Sequence, residues 1–306
     1  MYKKYFGLKE NPFNVNPDPR YLYVTRQTQE ALACLTYGIQ CRRGFVMLTG
    51  EVGTGKTTLL NKLLGWLQRY RVATSFVFNP RLDPSQFLEY MMADFGLSAD
   101  SQHKGQLLMR LNKWLLERYR VGGTAVLIVD EAQNLSAEVL EEIRLLTNLE
   151  TSTEKLLQIV LSGQPELEAK LNRPELRQLR QRIVLRCKTQ PLAPEETQHY
   201  VTSRLHVAGA DSKPIFTPEA VDAVHTFARG IPRLINTLCE HSLISAFAQQ
   251  KRPIPVETVQ EVAREFQLDV VDALPASVPA AGDENARLME AVQMLATLMD
   301  KLRRPQ

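Results

Sequence analysis

Gly50-Glu51-Val52-Gly53-Thr54-Gly55-Lys56-Thr57 matches the pattern G-x-x-x-x-G-K-[S/T], and its neighbours decide how to read it. Before it, Gly44-Phe45-Val46-Met47-Leu48-Thr49 is a short apolar run; after it, Thr57 to Tyr70 repeats apolar residues at helical spacing. Strand, glycine-rich loop and helix, in that order, form the context in which successive backbone N–H groups turn inward around phosphate. Lys56 then places a cation on the terminal phosphate oxygens, and the Thr57 hydroxyl is a magnesium ligand. The predicted contacts to ATP and Mg are Gly50, Glu51, Val52, Gly53, Thr54, Gly55, Lys56, Thr57 and Thr58.

Outward from this loop the chain alternates. Short apolar runs at Val72 to Phe78, Ala125 to Val129, Leu156 to Leu161 and Ile183 to Leu185 are separated by helical segments at Pro84 to Phe95, Gly105 to Tyr119, Ala137 to Leu149 and Glu166 to Leu171. Strands that are almost continuously apolar, each followed by a helix, predict an α/β fold: a five-stranded parallel sheet covered on both faces. After Pro191 the strand signal stops, and Glu195 to Val207, Pro218 to Phe227, Ile231 to Gln249 and Val256 to Phe266 read as four helices.

The expected organisation is an N-terminal arm (1–26), an α/β nucleotide-binding domain (27–191), a helical lid (192–270), an Ala/Pro-rich linker (271–284) and a C-terminal amphipathic helix (285–306). The arm is expected to be extended, because Pro12, Pro17 and Pro19 bias their predecessors away from helix. In the last segment Leu288, Val292, Leu295, Met299 and Leu302 form an amphipathic seam suited to a coiled coil or to docking on the chain's own domain.

The 306 residues suffice for two folded units, and 44% hydrophobic with 23% charged residues is ordinary globular composition. A net charge of +3 does not by itself point to nucleic acid or acidic lipid. The four cysteines, Cys34, Cys41, Cys187 and Cys239, are scattered and are expected to be buried, reduced thiols in a cytoplasmic protein. Neither a signal peptide nor a run of about 18 apolar residues is found, so no membrane span is expected, though partners leave peripheral membrane association open.

Hydrolysis also needs acidic residues at the end of a neighbouring strand, and Ala125-Val126-Leu127-Ile128-Val129-Asp130-Glu131 supplies them. Asp130 is expected in the magnesium shell and Glu131 as the general base that activates water. The strand ending at Leu161 leads into Ser162-Gly163-Gln164-Pro165, where Gln164 is the first choice and Ser162 the second for a polar contact to the γ-phosphate or the water; a plain turn is the competing reading. Arg177, Arg180 and Arg182 stand where an arginine can enter a neighbouring subunit's site, although a solvated basic face would look the same. Gly230-Ile231-Pro232-Arg233 is a helix start, and Arg233 is a candidate γ-phosphate sensor tying ATP binding to the angle between domains, against the alternative of a surface arginine.

In this order the elements resemble an AAA+ ATPase: Walker A at Gly50 to Thr57, Walker B at Asp130-Glu131, sensor 1 near Gln164, an arginine finger among Arg177, Arg180 and Arg182, and sensor 2 at Arg233. More narrowly, Tyr5-Phe6-Gly7-Leu8, Asn11-Pro12-Phe13, Pro17-Asp18-Pro19-Arg20, Asp130-Glu131-Ala132-Gln133-Asn134-Leu135, Gly163-Gln164-Pro165-Glu166-Leu167 and Gly230-Ile231-Pro232-Arg233-Leu234-Ile235-Asn236 are similar to the ExeA/GspA family of general secretion ATPases and their exosortase-locus relatives. The resemblance implies an oligomeric bacterial cytoplasmic ATPase serving secretion or envelope assembly, and it puts Asn11, Pro12 and Phe13 close to the adenine. The chain departs from the secretion branch, whose members often continue into a membrane span and a peptidoglycan-binding domain. Sensor 1 departs too, since many AAA+ proteins carry asparagine there. The alternative is similarity to transposition-targeting ATPases of the TnsC and TniB kind, with Arg42, Arg43, Arg69 and Arg71 as contacts to DNA phosphates.

Overall fold

The computed structural model describes residues 1–14, 18–21, 23–78, 82–99, 103–211 and 213–268. The linker and amphipathic helix expected over 271–306 lie outside these residues. In chain order the helices are α1 (Tyr2–Phe6), α2 (Arg26–Gln40), α3 (Lys56–Arg69), α4 (Pro84–Asp94), α5 (Lys104–Arg120), α6 (Ala137–Leu146), α7 (Pro165–Leu171), α8 (Arg177–Arg182), α9 (Pro194–Val207), α10 (Pro218–Ala228), α11 (Pro232–Ala248) and α12 (Val256–Glu265). The strands are β1 (Phe45–Thr49), β2 (Ala73–Val77), β3 (Ala125–Val129), β4 (Leu157–Gly163) and β5 (Leu185–Lys188). None of the described helices is long and apolar enough to cross a membrane.

Two compact units are present. One contains residues 18–192 of the described chain together with Ile231–Arg233; the other contains residues 1–14, 193–230 and 234–268.

The first unit is the expected parallel sheet, five strands in the order β2-β3-β4-β1-β5. Alternation along each strand decides which face a side chain joins. Val46 and Leu48 of β1, Val126 and Ile128 of β3 and Val160 of β4 pack with Leu59, Leu60, Leu63 and Leu67 of α3 and with Leu35 and Ile39 of α2. Phe45, Met47, Leu127, Val129, Ile159 and Leu161 point to the opposite face, covered by Phe87, Met91, Leu111, Leu115, Val139, Leu140 and Ile143. Each fully buried leucine contributes about 1.5–3 kcal/mol by leaving water. Neither face is solvated, hence the absence of a polar alternation in the central strands.

β5 begins two residues later than its apolar run suggested and reaches Lys188, pairing Val46–Thr49 of β1 with Leu185–Lys188. It is an edge strand on which only Cys187 is buried, so half of it reads as polar. The cysteine expectation is also corrected. Cys34 of α2 and Cys187 of β5 form a disulfide, with Cα atoms 6.5 Å apart; Cys41 is exposed and only Cys239 is a buried free thiol.

The second unit packs the four C-terminal helices with the first residues of the chain. Those residues are not extended throughout: α1 is a short helix closed by Gly7 in the left-handed conformation, φ 73°. The prolines that argued for extension all follow Gly7 and exert no bias on it. Asn11 Oδ1 accepts the Phe13 N–H at 2.9 Å, and Asn11 Nδ2 donates to Glu240 Oε1 at 2.9 Å. Phe13 is buried against Phe216, ring centroids 6.3 Å apart, and Arg204 donates to the Pro12 carbonyl at 2.6 Å and the Asn14 carbonyl at 3.2 Å. The contacts of Asn11, Pro12 and Phe13 are thus with the helical unit.

Candidate active site

Helix α3 begins where Gly55, φ 94°, places the chain in the left-handed region, and Gly53 does the same at φ 80°. Side chains are disfavoured there, and at Gly53 space excludes one as well. A Cβ on Gly53 would lie 2.7 Å from Arg233 Cβ, and one on Gly50 would lie 2.0 Å from Thr189 Oγ1. The loop is therefore closely backed, at Gly50 by the residue after β5 and at Gly53 by Arg233, whose N–H donates to the Gly53 carbonyl at 3.2 Å.

Lys56 is buried, and its Nζ donates to the Gly50 carbonyl at 2.7 Å and the Glu51 carbonyl at 3.0 Å. Desolvation pushes the amine below the usual lysine range, opposed by the carboxylates of Glu131, Asp130, Glu51 and Glu166. Glu51, Val52 and Thr57 are exposed; Thr58 is half-buried.

The C-terminal ends of β3 and β4 bring the acidic residues to the same place. Thr57 Oγ1 donates to Asp130 Oδ2 at 3.0 Å, while Asp130 Oδ1 accepts from Ser162 Oγ at 2.7 Å and from the Glu131 N–H at 3.0 Å. Asp130 is 4% exposed, and these donors satisfy a carboxylate that burial would otherwise penalise. Hydroxyl and carboxylate oxygens converging at one point are the donor set a hard cation such as Mg requires.

Glu131 departs from the strand with φ 52° and ψ 37°, a conformation disfavoured for a residue with a side chain. Its Oε2 accepts from Gln133 Nε2 at 2.6 Å and from Gln164 Nε2 at 3.1 Å. Gln164 and Ser162 thus both reach the acidic pair, Gln164 through Glu131 and Ser162 through Asp130.

Among the three candidate finger arginines, Arg182 donates to Thr147 Oγ1 at 2.6 Å and Arg180 to Asn172 Oδ1 at 2.8 Å, whereas Arg177 is exposed. Of the four arginines considered for DNA, Arg42 is turned inward: it donates to the Gly123 carbonyl at 2.9 Å, pairs with Glu154 at 3.2 Å and lies over the Tyr119 ring.

The chain's residues 39–171 match the model of the AAA domain family. General secretion pathway protein A of Aeromonas hydrophila is 47% identical over 255 residues, which cover 83% of this chain. The chain belongs to the ExeA/GspA family of AAA+ proteins. It spans 46% of that relative's length. The fold of this ExeA/GspA-family chain is also that of ORC and Cdc6 structures. The Aeropyrum pernix ORC2 protein matches with a TM-score of 0.62 at 16% identity, over 84% of this chain and 72% of that one. Cdc6p from Pyrobaculum aerophilum matches with a TM-score of 0.61 at 18% identity, over 81% and 70%.

Two contributors were not singled out from the ExeA/GspA-family sequence. Thr189 follows the edge strand in a polar stretch without any motif, and only the fold shows it against Gly50. Gln133 sits inside the string Asp130-Glu131-Ala132-Gln133-Asn134-Leu135; its signal was its place two residues after the expected base.

Proposed function

We propose that this chain hydrolyses ATP, as an oligomer, and that turnover drives assembly or operation of a bacterial secretion or envelope system. The observation that carries the enzymatic part is the hydrogen bond from Thr57 to Asp130, which joins the phosphate loop to the acidic strand end beside Glu131. The homology to general secretion pathway protein A supports the setting.

In this reading the N–H groups of residues 50–57 bind the phosphates, and Lys56 leaves the Gly50 and Glu51 carbonyls for a phosphate oxygen. Thr57 and Asp130 hold Mg, which supplies charge neutralisation on the phosphates when bound. Glu131 accepts a proton from the attacking water. Arg233, backing Gly53, senses the terminal phosphate, and an arginine from α8 of a neighbouring copy contributes positive charge.

Phosphate release by the wild type and by Glu131→Gln tests the reading, with light scattering or sizing in the presence of Mg and ATP for assembly. A wild type that releases phosphate no faster than Glu131→Gln would falsify the enzymatic claim. A chain that stays monomeric at all nucleotide states removes the oligomeric one.

A further inference from the structure

The amide of Gln133 has no part in the reading above, yet it makes the shortest contact to the proposed base, 2.6 Å from Nε2 to Glu131 Oε2. Its other end is occupied as well: Gln133 Oε1 accepts the backbone N–H of Gln164 at 3.1 Å. That second bond assigns the amide's orientation, because an N–H facing the Gln164 N–H would set two donors against each other. Gln133 Nε2 therefore faces Glu131.

The surroundings leave the amide little freedom. A Cβ on Gly163 would stand 2.8 Å from Gln133 Oε1, so the absence of a side chain there is what admits the glutamine. The backbone of the short turn Ala132–Asn134 is pinned from α7, since Lys170 Nζ donates to the Gln133 carbonyl at 3.1 Å and also to the Leu135 carbonyl. Gln164, itself fixed through its N–H, adds its own side-chain donor to the same Glu131 oxygen at 3.1 Å.

Both donors thus converge on Oε2, and among the described residues none is bonded to Oε1. One oxygen is anchored and the other is left to face solvent. A carboxylate on a strained left-handed residue needs such anchoring to keep a single direction.

We propose that Gln133 is a positioning residue: it holds Glu131 by Oε2 so that Oε1 is presented to the attacking water. This rests on Glu131 being the general base.

The test compares steady-state phosphate release and nucleotide affinity for the wild type, Gln133→Ala, Glu131→Gln and the double variant. Gln133→Ala is expected to lower kcat about ten- to a hundredfold, the scale of a misplaced catalytic group. KM and nucleotide affinity are expected within about twofold of wild type, because no ground-state contact to nucleotide is lost. In the Glu131→Gln background the same substitution is expected to leave the residual rate unchanged, since it acts through Glu131. Should the alanine variant not fold, Gln133→Met, which keeps the length and lacks the donor, is read in the same way.

A wild type faster than Glu131→Gln, with the Gln133 variants at wild-type kcat, overturns this proposal alone. So does a parallel loss of affinity and kcat, the mark of general disruption. Equal rates for wild type and Glu131→Gln overturn the base assignment and this proposal with it.

Discussion

Thr189 and Thr54 meet hydroxyl to hydroxyl, their Oγ1 atoms 2.7 Å apart, which ties the phosphate loop to the end of β5. Thr54 Oγ1 already donates to the Glu51 carbonyl at 2.8 Å, so its single proton is committed and Thr189 must be the donor. Thr189→Val keeps the shape and removes that donor. It is expected to weaken nucleotide binding by about 1 kcal/mol, roughly fivefold, while Thr189→Ser retains wild-type affinity. Fluorescent-nucleotide titration of both variants checks this, and wild-type affinity in the valine variant with weakening in the serine variant would show that the methyl, not the hydroxyl, matters.

The loop's backbone sets a harsher limit at Gly50. An alanine there places its Cβ 2.0 Å from Thr189 Oγ1 and 2.7 Å from the Thr189 carbonyl oxygen, and the second of these is backbone that has no rotamer to change. Gly50→Ala is expected to lose at least about tenfold in nucleotide affinity, with thermal unfolding of the free protein lowered by a few degrees. Affinity unchanged from wild type would mean that the strand end yields.

Lys56 makes binding depend on pH in a definite direction. Burial lowers its proton affinity in the free protein from the ordinary 10.5. Between the lowered value and 10.5 the unfolded chain holds the proton and the folded chain does not, so Lys56 favours folding more as pH rises through this window. Bound phosphate favours the charged amine, so affinity is expected to fall as pH rises through the lowered value, with proton uptake on binding. Calorimetric titrations in two buffers of different ionisation heat detect that uptake. Heats that do not depend on the buffer anywhere in the alkaline range contradict the linkage.

Much of this site was legible before the fold was known because its parts are local. Phosphate loop, strand and helix are contiguous between Gly44 and Tyr70, and Asp130 and Glu131 end a strand too apolar to be misread. What escaped depends on register and on long-range packing. Thr189 meets Gly50 only because β5 pairs with β1 as far as Lys188–Thr49, an edge pairing whose polar face hides the strand. Cys34 and Cys187 are 153 residues apart, and no spacing rule joins a helix residue to an edge strand. Helix α1 lay hidden in a short segment whose following prolines dominated the reading.

The disulfide makes a labelling prediction. In native, unreduced protein a thiol reagent is expected to modify Cys41, which is exposed. Cys239 is buried and its thiol is pushed up by desolvation, so it should react only after denaturation. Cys34 and Cys187 are expected to react only after reduction. Peptide mass spectrometry reads all three steps, and labelling of Cys34 or Cys187 in denatured, unreduced protein would show the pair to be free thiols.

The last prediction separates the arginines of α8. Arg182 is bonded to Thr147 at 2.6 Å in a half-buried position and Arg180 to Asn172 at 2.8 Å, so each has a partner within its own unit. Arg177 is exposed, and among the described residues it makes no hydrogen bond or ion pair. Arg177 alone of the three can reach a neighbouring copy without giving up a bond within its own unit, which makes it the first choice. Arg177→Ala is expected to lower turnover at least about a hundredfold with unfolding midpoint unchanged, whereas Arg182→Ala is expected to cost about 1 kcal/mol of stability through the lost bond to Thr147 Oγ1, which keeps its own bond to the Arg144 carbonyl at 2.6 Å. Mixing Arg177→Ala with Glu131→Gln subunits places an intact base opposite an intact arginine in some of the pairs, and partial activity should return. Mixtures no more active than either variant alone would exclude Arg177 as the residue given in trans.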